Sequence, residues 1–234
     1  MRSLLQDLRY AGRLLVRSPG FTLLTVLTLA LGIGANAAIF SVVDGVLLTP
    51  LPYRQPDRLV AIYSQFPGLG FDKFWVSAPE YLDFRRSSSS FRSVGAYVTG
   101  EFNVNGGDQP LRVRAAMATA SLFSTLGVDP VLGRTFAEAD DLPNAGKTVI
   151  VSHGLWRRIF AGDPGIVGKR LIIDGEPRTI LGVMPPSFDV DNQRIDVWVP
   201  LGLDPANPGY RGSHYLYMVG RLKPGATLAS AQSE

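Results

Sequence analysis

His153 and His214 are the only two imidazoles in this chain of 234 residues, and there is no cysteine. Thiolate nucleophiles, disulfides and Cys-ligated metals are therefore excluded. An imidazole can act as a general base or bind zinc, but zinc sites pair it with further ligands at fixed spacing, as in H-E-x-x-H. Neither that motif nor H-x-E surrounds His153, which falls at a strand–helix junction and reads as a packing or capping residue. The nearest carboxylates, Glu138, Asp140 and Asp141, lie in a loop and read as solvated charge. Ser152-His153-Gly154 lacks the flanking glycines of a G-x-S-x-G nucleophile elbow. No G-x-x-x-x-G-K-[ST] phosphate loop occurs, and Gly32-Ile33-Gly34 sits inside an apolar run, where it cannot serve as a dinucleotide loop. No catalytic, cofactor-binding or metal-ligating residue is assigned, and the chain is read as non-enzymatic.

Residue types suited to recognition do occur. Phe66–Trp75 (FPGLGFDKFW) mixes aromatics with glycine and one proline and reads as a loop. Exposed aromatics mark partner surfaces, so Phe66, Phe71, Phe74 and Trp75 form a candidate partner surface; the alternative is that they tuck into the core.

The segment that positions everything else is Ser18–Val43, 26 residues without a charge, with apolar character resuming after Asp44 as far as Leu48. A helix crossing a hydrocarbon core of about 30 Å needs about 20 residues, and helix is the only form a single span can take in lipid. Residues 18–48 are therefore expected to form a transmembrane helix. A cleaved signal peptide is the main alternative, since Ala35-Asn36-Ala37 has the A-x-A form; against it, the apolar run continues past that point.

Net charge is +3. Arg2, Arg9, Arg13 and Arg17 face only Asp7 before residue 20, whereas residues 49–234 carry 19 basic and 18 acidic side chains. A nucleic-acid binder would carry its basic stripe on the folded body, so no nucleic-acid partner is expected. Basic residues flanking a span mark its cytoplasmic side. This places the N-terminus in the cytoplasm and residues from about 49 onward outside the bacterial inner membrane, in the periplasm. Within residues 1–17, Leu4, Leu8, Ala11 and Leu15 share one face and the arginines the other, as in an amphipathic helix lying on the membrane surface. A solvated helix packed on cytoplasmic parts of the protein is the alternative. In the span, Ala30, Gly34 and Ala38, and again Ala37, Ser41 and Gly45, recur at intervals of four. Such small-residue faces let helices approach closely in lipid, which implies partner spans.

From residue 49 the pattern is one of short elements. Arg58–Phe66 alternates as a strand, and Ser77 with Glu80 three residues on reads as the cap of a helix reaching about Arg86. Phe91–Tyr97, Phe102–Asn105 and Leu111–Thr119 read as strands, with Asn105–Asp108 as a hairpin turn. Ser121–Leu126 reads as a helix closed by Gly127, and Gly133–Asp141 as a loop. Further on, Lys147–Ser152 is a short buried strand and His153–Phe160 a helix. Lys169–Ile173 and Arg178–Val183 form a hairpin about Asp174-Gly175-Glu176. Asp196–Pro200 and Tyr215–Leu222 are strands, and Thr227 begins a final helix cut short at Glu234. The fold class is α+β, plausibly in two subdomains.

Three stretches resemble the MacB-type permeases, whose membrane part is called FtsX-like: Leu31–Tyr53 (LGIGANAAIFSVVDGVLLTPLPY), Gly133–Asp141 (GRTFAEADD) and Val149–Phe188. The closing YMVGRLKPGATLASAQSE is similar to the end of that family's extracytoplasmic core, and the N-terminal DLRYAGRLLVRSPGFTLLTVLTLALGIGANAA resembles a subgroup of long, duplicated orphan permeases. The resemblance implies a MacB-like periplasmic core domain over 49–234, truncated at its C-terminal end. It implies a porter-like part with an inserted subdomain, and three further transmembrane helices that this sequence lacks. It also implies a permease subunit of an ABC-type export system working by mechanotransmission, with the remaining permease helices, a homodimer partner and a separate ATPase subunit as partners besides the lipid bilayer. The alternative function is a membrane-anchored regulatory module that controls a periplasmic partner such as a cell-wall hydrolase, or senses peptides.

Overall fold

A computed structural model describes residues 6, 10, 13, 15–43, 53–105, 110–190 and 192–234. The chain divides into two units, Met1–Leu51 and Pro52–Glu234.

In the first unit, Gln6, Tyr10, Arg13 and Leu15–Arg17 are helical, and after Ser18 a 25-residue helix, α1, runs Pro19–Val43. Proline suits the first turn, where an N–H would have no partner. At 1.5 Å per residue α1 is about 37 Å long, enough to cross a bilayer core. Pro19–Ser41 is apolar enough to do so. Three of its polar side chains bond within the helix: Thr25 Oγ1 donates to Phe21 O (2.9 Å), Thr28 Oγ1 to Leu24 O (2.8 Å) and Asn36 Nδ2 to Gly32 O (2.8 Å). Such bonding is what a hydrocarbon environment requires. The rest of the expected span, 44–48, lies outside the described residues.

The second unit is built on one ten-stranded sheet. Its elements are β1 (Leu59–Ile62), β2 (Ser64–Phe66), β3 (Phe71–Phe74), β4 (Val76–Ser77), α2 (Ala78–Ser87), β5 (Phe91–Asn105), β6 (Pro110–Ala118), α3 (Ser121–Leu126), β7 (Leu132–Gly133), β8 (Thr148–Val151), α4 (His153–Phe160), β9 (Arg170–Ile173), β10 (Glu176–Val183), β11 (Val197–Pro200), β12 (His214–Leu222) and α5 (Leu228–Gln232). Strand order is β1-β12-β5-β6-β11-β8-β10-β7, with β4 on β12. β9 pairs both with β10 and, through Val104↔Ile173 and Asn105↔Ile172, with the far end of β5. The pairings β5–β6–β11–β8–β10–β9–β5 thus close on themselves as a six-stranded barrel. Most are antiparallel; β6–β11 and β8–β10 are parallel.

Closure explains the all-buried burial pattern of β8. Val149 and Val151 point into the barrel with Val113, Leu171, Ile180 and Val197, and Leu155 of α4 packs there too. Ile150 points outward, with Trp198 and Ala116, onto Phe123 of α3, Phe136 and Phe188. A third core joins α2, through Tyr81, to Phe91, Val94, Leu216 and Met218 on the other side of the β12–β5 pair. The sheet is common to both stretches expected as subdomains.

Local rules account for the element ends. Ser152 Oγ accepts from Leu155 N at 3.0 Å, capping α4, and Thr227 Oγ1 accepts from Ser230 N at 3.1 Å, capping α5. The β9–β10 turn places Asp174 and Gly175 at φ 47° and 81°, the left-handed pair a two-residue hairpin needs. Asn103 N and Nδ2 both donate to Asp174 Oδ1 at 2.9 Å, pinning that turn to β5.

Several expectations are corrected. The two strands read in 91–105 are one strand of 15 residues, because the polar step at Thr99–Glu101 stays paired to β6. The single strand read over Arg58–Phe66 breaks at Tyr63 into β1 and β2. The Gly133–Asp141 loop begins with β7, paired to β10, and ends in a 3₁₀ turn at Glu138–Asp141. The turn at 106–108 lies outside the described residues, although its flanks pair at Asn105↔Pro110.

Gly95 marks the tightest junction between helix and sheet. A Cβ there would lie 2.6 Å from the Leu122 Cα, on the backbone of α3. Overpacking that backbone cannot relax away costs about 1–3 kcal/mol. Gly95→Ala should therefore lower the urea midpoint of the full chain in detergent micelles by about that free energy, read from tryptophan fluorescence. Gly100→Ala, with open space around it, should cost less than half as much.

Candidate interaction surface

The aromatic run Phe66–Trp75 is a hairpin rather than the expected loop. β2 and β3 pair antiparallel as a separate two-stranded sheet, Ser64↔Phe74 and Phe66↔Phe71, around a 3₁₀ turn at Pro67–Leu69. Gly70 closes that turn at φ 76°, a conformation glycine adopts without steric cost. The four expected surface residues split into two pairs. Phe66 and Phe74 are half-buried, edge-on to one another at 5.7 Å, and both lie against the His214 ring, at 5.1 and 5.6 Å. Phe71 and Trp75 are 47% and 44% exposed, and Leu69 at the tip 72%. Tyr63 is exposed as well, with Lys73 Nζ 5.7 Å above its ring. The hairpin thus has an anchored side and a free side.

The anchor is a polar cluster that sequence reading assigned only in part. Glu80 was recognised as a helix-capping residue, and its Oε2 does accept from Ser77 N at 2.9 Å. The same oxygen accepts from Ser64 Oγ of β2 at 3.1 Å and lies 3.2 Å from His214 Nε2. The other ring nitrogen of His214, Nδ1, is 3.0 Å from Gly212 O. One carboxylate therefore ties β2, the start of α2 and β12 together. Burial pushes the Glu80 carboxyl up, but the Ser77 N–H, the Ser64 hydroxyl and His214 outweigh it and hold it below its ordinary 4.5. His214 had no reading beyond its rarity; no local signal joins residues 134 apart.

His153 is the first residue of α4, with its ring edge-on to Trp156 at 5.2 Å. The cap belongs to Ser152, so packing is its role. Of the three loop carboxylates, Glu138 is exposed, 2.9 Å from Arg85, as solvated charge should be; Asp140 and Asp141 are not. Asp140 takes a bidentate pair from Arg134 and a hydrogen bond from Ala137 N (2.7 Å), and the Arg134 guanidinium, against some desolvation, holds its carboxyl low. Asp141 accepts from Ala120 N (2.9 Å) and Gly202 N (2.8 Å) and knits α3 to the segment after β11; burial pushes its carboxyl up in spite of those bonds. Among the described residues no group of three or more acidic or imidazole side chains is arranged to hold a metal. Two open clefts, of about 310 and 350 Å³, flank α2 and are lined by arginine, serine and proline with Asp83 or Glu138, without a histidine.

In the first unit, Ala30, Gly34, Ala38 and Ser41 are all exposed, and a Cβ on Gly34 would meet nothing within 4 Å. Arg13 and Arg17 are helical and exposed. Gly45, Arg2 and Arg9, with most of the expected amphipathic stretch, lie outside the described residues.

A helix of bilayer length, followed by an α+β body whose polar residues serve packing, defines a membrane-attached extramembrane domain. The chain belongs to the family of the MacB-like periplasmic core domain, which matches residues 22–234. It is therefore of the MacB/FtsX-like permease class, a transporter component of the inner membrane with a periplasmic domain. Solved structures share the fold. The periplasmic region of MacB from Actinobacillus actinomycetemcomitans aligns with TM-score 0.54 and 16% identity, over 75% of this chain and 78% of that one. A domain of a putative permease protein from Porphyromonas gingivalis aligns with TM-score 0.60 and 19% identity, over 77% and 82%. The extracellular domain of the noncanonic ABC-type transporter YknZ from Gram-positive bacteria aligns with TM-score 0.53 and 15% identity, over 74% and 88%. A search of curated proteins by sequence found no match.

The Glu80 anchor carries a pH signature. A carboxylate held below its ordinary value stabilises the fold above that value and loses the contribution as pH falls through the lowered one. Glu80→Gln should cost about 1 kcal/mol near pH 7, the worth of a helix cap, and progressively less below about pH 4.5. Urea midpoints of wild type and variant, compared from pH 7 down to about pH 3, should converge.

Proposed function

We propose that the chain is the N-terminal part of a permease subunit in an ABC-type export system that works by mechanotransmission. In this reading α1 crosses the inner membrane with residues 1–17 in the cytoplasm, and the body from about 49 onward stands in the periplasm as a porter-like part with an inserted subdomain. The observation that carries it is a match to the MacB-like periplasmic core domain over residues 22–234 that takes in most of an apolar helix of bilayer length. The body contributes contact rather than chemistry: the free side of the aromatic hairpin, Phe71 and Trp75 with Leu69, meets a substrate or partner protein outside the membrane. Phe66 and Phe74 belong to the same surface only through their anchoring of it on His214. No enzymatic step is assigned to the chain.

The small-residue face Ala30, Gly34, Ala38, Ser41 and Gly45 receives neighbouring spans, either the remaining permease helices or a homodimer partner. Close helix approach in lipid depends on the absence of side-chain bulk. A separate ATPase subunit supplies the energy. Arg2, Arg9, Arg13 and Arg17 hold the amphipathic segment at the inner surface and fix the orientation.

The absence of cysteine gives a clean topology test. Lys73→Cys, on exposed β3, should react with a membrane-impermeant maleimide in intact cells whose outer membrane has been permeabilised. Gln6→Cys should react only after the inner membrane is opened. Labelling of Gln6→Cys in intact cells would reverse the orientation and end this reading. In micelles and in membranes, Gly34→Leu should weaken helix-mediated association by about 1 kcal/mol or more, measured by energy transfer between labelled chains, while leaving the urea midpoint of the body unchanged.

A further inference from the structure

Arg221 is a buried arginine that pairs with no carboxylate among the described residues. It is 6% exposed, in β12. Its Nε donates to Thr125 O at 2.7 Å, its Nη2 to Leu126 O at 3.2 Å and its Nη1 to Gln55 O at 3.3 Å. These carbonyls take three of its five N–H groups but supply no counter-charge, and a buried unpaired charge is costly. Burial pushes its pKa down, and the nearby charges of Arg92, Arg54 and Arg58 push it further.

Sheet register explains why these cations converge. Arg221 pairs with Leu59 of β1 on one side and with Ser93 of β5 on the other. Because β12 is antiparallel to both, the starts of β1 and β5 meet its end, which places Arg58 and Arg92 beside Arg221. Arg54 joins them over Gly127: a Cβ on that glycine would touch Arg54 Cβ at 2.8 Å and Arg221 Nη2 at 3.2 Å. Among the described residues one of the four guanidiniums, that of Arg54, makes an ion pair. Asp129 is 3.2 Å from Arg54, with both side chains at least 70% exposed, an arrangement of little energetic value. Asp57 acts on Arg221 at longer range. Arg58 and Arg92 make no ion pair among the described residues.

From this juxtaposition we propose that the sheet end formed by Arg54, Arg58 and Arg92 over buried Arg221 is a binding site for a phosphate group. The guanidinium fork matches phosphate oxygens two at a time. A phosphodiester headgroup carries one negative charge and a phosphate monoester nearly two, and both present the paired oxygens that the fork matches. The phosphate belongs either to an anionic lipid headgroup or to a soluble phosphate ester. The headgroup is the source to test first, since Arg54 follows the end of the apolar helix at Val43 by eleven positions.

The test uses the full chain in zwitterionic micelles, titrated with dihexanoyl phosphatidylglycerol, dihexanoyl phosphatidylcholine and glycerol 3-phosphate, with binding read by tryptophan fluorescence and thermal shift. The phosphatidylglycerol should bind about tenfold more tightly than the phosphatidylcholine, as expected for charge-assisted contacts. Arg58→Gln with Arg92→Gln should remove that preference, while Arg157→Gln with Arg170→Gln, exposed elsewhere on the body, should keep it. If glycerol 3-phosphate binding depends on Arg58 and Arg92 and phosphatidylglycerol has no advantage, the site stands with a soluble phosphate ester as its ligand. If the folded glutamine pair, judged by unchanged near-UV circular dichroism, binds both anionic ligands as wild type does, or if wild type binds neither, the proposal is overturned. Should that variant not fold, salt decides on the wild type: raising ionic strength from about 50 to about 500 mM must erase the preference, and a preference that survives overturns the proposal equally.

Discussion

The body depends on the pairing of one strand with two different sets of partners. β5 extends from Phe91 to Asn105, about 50 Å at strand rise. Its first half is flanked by β12 and sandwiched between α2 and α3, and its second half is a stave of the barrel. The contacts of Val104 and Asn105 with β9 turn an open sheet into a closed one, so two turns of backbone pairing decide whether a barrel interior exists at all. Gly95 lets α3 sit against the first half.

Polar residues in this body are mainly fasteners between distant segments. Glu80 holds the aromatic hairpin to α2 and β12. Asp141 joins α3 to the chain after β11, and Asp174 pins the β9–β10 turn to β5. Each is a carboxylate accepting hydrogen bonds from backbone N–H groups or side chains, which is how a chain with short strands and much irregular backbone satisfies its buried donors. The consequence for function is that such a body offers surfaces and rigidity.

Much of this was legible in the sequence, for reasons that can be named. The span is legible because an absence of charge over 26 residues has few other causes. The cap at Ser77–Glu80, the Gly127 stop and the Asp174-Gly175 turn are legible because each is local chemistry. β5 was read in two pieces because Thr99–Glu101 carries no alternation, and what keeps it paired is β6, a long-range partner no local pattern reveals. Barrel closure was invisible for the same reason. Asp141 read as solvent-facing because its partners, Ala120 and Gly202, are 21 and 61 residues away. The arginine convergence at Arg221 was missed because register, not composition, creates it: the body is almost neutral overall.

Closing the barrel also removes template surfaces. Six strands pair with one another around the barrel, and among the described residues the outermost strands β1, β2, β3, β4 and β7 are none longer than four residues. Short rims are poor seeds for intermolecular cross-β growth. A protein crowded on a two-dimensional sheet of lipid, at local concentrations far above those in solution, gains from that economy: neighbouring copies can collide often without knitting into fibres.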